Sequence, residues 1–122
     1  MPLSILIQNQ NKDVPPIRGK YCNSFLCRLR GLTFRRELDR DEGLLLVEGH
    51  NSRIDTAIHM LFVWFDLAVI WINSDMTVVD KVLARSWHPA YVPKQAAKYI
   101  LEIHPDRLDD FEIGHKITWN DA

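Results

Sequence analysis

The sequence predicts an α+β fold: one small domain with a mixed or mainly antiparallel β-sheet, curled towards a barrel, and one or two short helices. Three observations predict it. Several apolar runs are rich in β-branched and aromatic residues and end in polar turn signals. One stretch, Phe25, Leu29 and Leu32, falls at helical spacing. The chain has 122 residues, a length that suits one domain (1–122) with its own core.

The elements follow in order. Leu3 to Ile7 reads as a first strand. "NQNKDVPPIRGK", with Pro15, Pro16 and Gly19, reads as a loop. In "CNSFLCRLRGLTF", Asn23 or Ser24 can cap a helix that carries Phe25, Leu29 and Leu32 on one face. The charged "RRELDRDEG" reads as a solvated turn or helix end, Leu44 to Val47 as a strand and "EGHNSRID" as a loop. Ile58 to Phe62 predicts a strand, with a corner at Trp64, Phe65 and Asp66. Leu67 to Ile72 and Val78 to Leu83 form a hairpin around the polar turn "NSDMT". The first of these strands is apolar on both faces, so it is central and covered on both sides. "SWHPAYVPKQ", with two prolines, is a long loop. "AAKYILEI" is a strand, Pro105 opens a short helix reaching Phe111, and His115 to Trp119 is a closing strand.

"AIHMLFVWFDLAVIWIN", Ala57 to Asn73, resembles a membrane span but is too short for one. It also carries Asp66 near its middle, a carboxylate that costs on the order of 3 kcal/mol at a bilayer centre. The N-terminal stretch shows no basic region, apolar core and cleavage site of a signal peptide. Formal net charge is -1 and 25% of residues are charged, a balance that favours neither nucleic acid nor membrane as partner. Cys22 and Cys27, five residues apart, form neither a CxxC pair nor half of a zinc site. They read as free, half-buried thiols, with a disulfide open only if the segment is not helical.

"RLRGLTFRREL", "EGLLLV", "IHMLFVWFDLAVIWINSDMTVV", "AAKYILEI" and "IGHKI" together resemble the bacterial and archaeal family called domain of unknown function 192, over roughly Arg28 to Ile117. Gly31, Leu32, Phe34 and Arg35 match its first box, with Thr33 in place of Met. Gly43 to Leu46 occupy the second box, and His59 and Met60 match the third. Leu101 and Glu102 match the strand motif near the C-terminus, and Gly114 the final Gly-Asp. Two acidic positions of the family are Ala68 and His115 here. The resemblance implies no activity, because none is established for the family. Many members are exported; the missing signal here leads to an expectation of the cytoplasm.

Candidate functional residues are few. Trp87, His88 and Tyr91 sit on a proline-stiffened loop, where aromatic rings make a stacking surface for a sugar, another small polar ligand or a protein. The competing reading is a lid folded over one end of the sheet. His59 could act as a base or ligand, or simply bond to a loop carbonyl. Asp66 could be an active carboxylate, or a corner residue accepting backbone N–H groups. Glu102, in an apolar strand, calls for a cation such as Arg30 or Arg35. The basic stretch Arg28 to Arg40 is interleaved with acids and reads as a solvated face. The five histidines lack metal-ligand spacing, and no nucleophile motif or Gly-rich phosphate loop is present, so no metal or cofactor is expected. The expectation is a binding or accessory module using His59, Asp66, Trp87, His88, Tyr91, Arg35 and Glu102. Its rivals are a small hydrolase or lyase built on His59 and Asp66, and a homodimeric structural module with Trp64, Trp87 and Tyr91 in its interface.

Overall fold

Seven strands and one 3-10 turn are found in the computed structural model, which describes residues 3–23, 37–61 and 63–121. The strands are β1 (Leu3–Asn9), β2 (Ile17–Cys22), β3 (Glu42–Ser52), β4 (Leu67–Ile72), β5 (Val78–Ala84), β6 (Ala97–Ile103) and β7 (Ile117–Asp121). They form one sheet in the order β5-β4-β6-β3-β2-β1-β7. Only β2 and β3 pair in parallel; every other neighbour is antiparallel.

The expected α+β class is therefore corrected to a mostly β architecture. Among the described residues the helical content is a single 3-10 turn, Pro105–Asp110. The helix expected at Phe25, Leu29 and Leu32 lies outside the described residues. The sheet curls without closing. Thr77 pairs with Lys116, and Val78 N–H donates to the His115 carbonyl at 2.9 Å. These bonds join β5 to β7 at one end only.

Curling gives the sheet two apolar faces with separate cores. The inner core takes side chains from all seven strands: Ile5, Ile7, Ile17, Leu45, Val47, Ile70, Val78, Leu101, Ile103 and Ile117 among them, with Phe111 as a plug. The outer core takes described side chains from β2 to β6. There Leu44, Leu46, Val69, Trp71 and Ile100 pack against Leu38, Ile58, Met60 and Val63, which lie outside the strands. All six residues of β4 are buried, as expected for a central strand covered twice.

The hairpin β4–β5 forms where its turn signal placed it. Asn73 Oδ1 accepts from the Asp75 and Thr77 amides at 3.0 and 3.1 Å, fixing the turn. Two expectations are corrected. "NQNKDVPPIRGK" ends in a strand, because Pro15 and Pro16 stop just before Ile17 and leave its ladder bonds intact. Ile58 to Phe62 is not a strand: Ile58 makes a single bridge with Tyr91, and Phe62 lies outside the described residues. Ile58 and Met60 of this run serve as cover for the outer face. The 3-10 turn after β6 is anchored by Arg107, which is buried and donates to Asp110, the Pro15 carbonyl and, at 2.7 Å, the Arg40 carbonyl.

Gly19 and Gly43 face each other across the β2–β3 pair. A Cβ on Gly43 would come within 2.9 Å of Ile103 Cγ2, 3.0 Å of Ile17 Cγ2 and 3.1 Å of the Glu102 carbonyl oxygen. The missing side chain lets two isoleucines meet inside the curl. Gly43→Ala is expected to destabilise the protein by about 1–3 kcal/mol through overpacking. A denaturant midpoint lowered at unchanged m-value would show it.

Candidate functional site

The aromatic loop and the irregular segment before β4 form one unit. Ile58 and Tyr91 exchange backbone hydrogen bonds of 2.9 and 2.8 Å. Met60 N–H donates to the His88 carbonyl at 2.8 Å, and Trp87 N–H to the Met60 carbonyl at 2.7 Å. A short ladder thus straps residues 58–60 to residues 87–91. Its anchor lies beneath: Trp71 on β4 is buried, and its indole N–H donates to the Thr56 carbonyl at 2.7 Å.

Asp66 closes the unit from the other side. Its carboxylate accepts from the Ser86 amide at 2.9 Å and from the Arg85 guanidinium at 3.1 Å. Tyr91 turns back into the loop, where its hydroxyl accepts from the Arg85 amide at 2.9 Å and its ring stacks on His88 at 4.3 Å between centroids. These are the bonds of a corner residue and of a lid.

Trp87 is placed differently. Its backbone is in the left-handed region, φ 63°, uncommon for a residue with a bulky side chain. The residue is 41% exposed, its ring edge to face with Trp64 at 5.0 Å and an interplanar angle of 78°. Trp64 is 58% exposed, and Leu61 nearby in sequence is exposed as well. The two indoles make an exposed corner with two walls, and His59, His88 and the Asp66–Arg85 pair lie close to it in the chain. Trp64 was not among the residues expected at a site. The sequence places Trp64 at a corner and, in the homodimer alternative, in an interface.

Of the remaining expected site residues, His59 is exposed, and its Nδ1 accepts from the Leu61 amide at 3.2 Å. Its described hydrogen bonds and those of Asp66 do not join the two side chains. Arg35 and Arg30 lie outside the described residues. Glu102 is buried, on the outer face of β6 between Leu44 of β3 and Val69 of β4. No described residue hydrogen-bonds or ion-pairs with its carboxyl, and burial alone pushes the pKa from the ordinary 4.5 up to about 7. Cys22, expected as a free thiol, is buried and disulfide-bonded. It ends a strand, the non-helical case that leaves a disulfide open; Cys27 lies outside the described residues. Among the described residues no three His, Cys, Asp or Glu side chains gather as metal ligands, and no helix is long and apolar enough to cross a membrane.

The family described as DUF192, Uncharacterized ACR, matches residues 6–119. The chain belongs to this family. A UPF0127 protein of Thermococcus kodakarensis is 36% identical over 102 residues, which cover 82% of this chain and 63% of that protein. The chain likewise spans 63% of the length of a UPF0127 relative from Thermococcus gammatolerans, at 35% identity. One from Pyrococcus furiosus is 33% identical over 85% of this chain and 88% of its own length. Among solved structures, a candidate transcription regulator from Sinorhizobium meliloti superposes with a TM-score of 0.83 at 16% identity, covering 98% of this chain and 94% of that one. A protein of unknown function from Novosphingobium aromaticivorans gives 0.79 at 19% identity, over 95% and 84%. At such identities the likeness establishes the fold alone.

Two outcomes follow from this geometry. Trp71→Phe removes the buried indole donor and strands the Thr56 carbonyl, so a loss of about 1–3 kcal/mol is expected in equilibrium unfolding. Glu102 binds its proton more tightly folded than unfolded, so the folded state takes up protons between pH 4.5 and about 7. Stability therefore falls as pH rises through that window. Glu102→Gln should flatten the slope and stabilise the protein at pH 8 by on the order of 3 kcal/mol, read from unfolding curves at pH 4.5, 6 and 8.

Proposed function

We propose that this protein is a one-domain, non-enzymatic binding module that holds its ligand in the Trp64–Trp87 corner. The observation that carries the reading is the pair of exposed indoles, one of them on a left-handed backbone that the strap to Met60 holds in place. Soluble proteins rarely leave clustered large aromatics exposed without a use for them. A sugar ring suits such a corner. Its C–H face lies against one indole, and its hydroxyls reach polar groups at the rim, of which His88 and Arg85 are the nearest in sequence.

The hydrolase reading has less support. It needs His59 and Asp66 to converge, whereas each spends its described hydrogen bonds on separate backbone or arginine groups. The cytoplasm remains our reading of the compartment only where the cytosol tolerates disulfides, as in hyperthermophilic archaea, because Cys22 is disulfide-bonded.

Tryptophan fluorescence titrated with a panel of mono- and oligosaccharides tests the proposal. Saturable change is expected with one sugar class, and Trp87→Ala or Trp64→Ala should weaken that binding about tenfold, equivalent to roughly 1.4 kcal/mol. A flat panel, with self-association in sedimentation that Trp64→Ala abolishes, would contradict the proposal and favour a homodimer interface instead.

A further inference from the structure

Four polar or charged residues are buried among those described: Thr56, Asp80, Glu102 and Arg107. Three are satisfied. The Thr56 hydroxyl donates to the Ser52 carbonyl. Asp80 accepts from the Lys81 and Lys94 amides. Arg107 donates to Asp110 and two carbonyls. Glu102 alone has no described partner, though it is only 6% exposed. A carboxylate held so deep without a donor is costly, and proteins rarely keep one without a use for it.

The carboxyl is nonetheless not sealed. No fully enclosed side-chain oxygen or nitrogen among the described residues lacks a hydrogen bond. Glu102, which makes none, therefore keeps a small solvent-accessible area, in line with its 6% exposure. Its cross-strand neighbours Leu44 and Val69 are apolar, and Ile100 shares its face one step along β6. The titratable groups nearest in register on that face are His104 on its own chain segment, Glu42 on β3, Asp80 on β5 and, beyond Leu44, Lys20 on β2. His104 Nδ1 already accepts from the Asp106 amide, and Asp80 is satisfied as above.

We propose that Glu102 is an open counter-charge that binds a guanidinium group entering from the outer face of the sheet. A single carboxylate in an apolar ring is too poor a ligand set for a divalent metal, which needs several oxygens or nitrogens. A guanidinium fits better than an ammonium. It is planar, matches a carboxylate with two parallel hydrogen bonds, and gives up its weak hydration more cheaply beside apolar neighbours. Two sources share this chemistry: a free small guanidinium compound, or an arginine side chain of another polypeptide. The site stands on Glu102 and not on the aromatic corner, so the two proposals fail independently.

The test is calorimetric titration of the whole protein with agmatine and, separately, with acetyl-Gly-Arg-Gly-amide, using n-butylamine as the ammonium control. Wild type should bind one or both guanidinium probes saturably, with n-butylamine weaker. Binding should tighten as pH rises from 5.5 towards 7 and then level off, because the cation displaces a proton. Glu102→Gln, close to isosteric, should weaken binding at least tenfold, while Ile113→Ala, at an exposed position, leaves it unchanged. Agmatine alone binding points to a free compound; the peptide alone points to an arginine of a partner. Absent saturable binding of both probes overturns the proposal, as does equal binding by Glu102→Gln. A second readout needs no variant: the carboxyl 13C titration of Glu102 in the ligand-free protein. A midpoint near 7 that falls on adding the probe supports the open site. A midpoint below the ordinary glutamate value without ligand overturns it, because a cation of the chain itself would already be seated there.

Discussion

β4 sets the terms for the rest of the molecule. Its six residues, Leu67 to Ile72, are all buried, so neither face of this part of the sheet can meet water. On the inner side the sheet solves this by curling on itself around Ile70, Leu101 and Phe111. On the outer side it cannot, and a second layer has to be brought in. Ile58, Met60 and Val63 supply part of that layer. Because they come from irregular chain, their backbone groups need partners, and the ladder to residues 87–91 provides them. The buried bond from Trp71 to the Thr56 carbonyl fixes this cover to the strand it protects.

The candidate sites are consequences of that cover. Strapping Met60 to Trp87 and His88 leaves Leu61 and Trp64 on the far side of the strap, facing solvent, and sets Trp87 beside Trp64 in a left-handed conformation. Asp66, at the point where the cover becomes β4, holds the loop by Ser86 and Arg85. Glu102 lies on the same outer face, one strand over from β4. An aromatic corner and a buried carboxyl thus arise on one side of the sheet, from a structural need to close its outer face.

The sequence was most legible where periodicity and turn chemistry agree. The β4–β5 hairpin could be read because two β-rich runs flank "NSDMT". The strand Ala97–Ile103 was recognisable by its composition. β2 was hidden because Pro15, Pro16 and Gly19 are loop signals. The prolines in fact precede the strand, and Gly19 lies in it for packing: a Cβ there would come within 2.9 Å of Ile7 Cδ1. Ile58 to Phe62 has strand composition, but composition cannot distinguish a buried strand from buried cover. At the site, the exposure of Trp87 was legible from its loop, and the backbone N–H bond to Asp66 from its place in the apolar run. Trp64 was legible at the corner and in an interface alternative, but not as a ligand contact, since its meeting with Trp87 joins residues more than twenty positions apart. Nor could one sequence show that Glu102 has no partner among the described residues, because its apolar surroundings invite the assumption of an arginine.

The central claim is that the irregular cover is as firmly fixed as the sheet it protects. Amide hydrogen exchange measures this directly. The Ile58, Met60, Trp87 and Tyr91 amides should exchange slowly, with opening free energies close to those of β4, and Trp71→Phe should speed all four together. If these amides exchange at the rates of an open loop while β4 stays protected, the cover is not part of the fold's cooperative unit and the account of the aromatic corner fails.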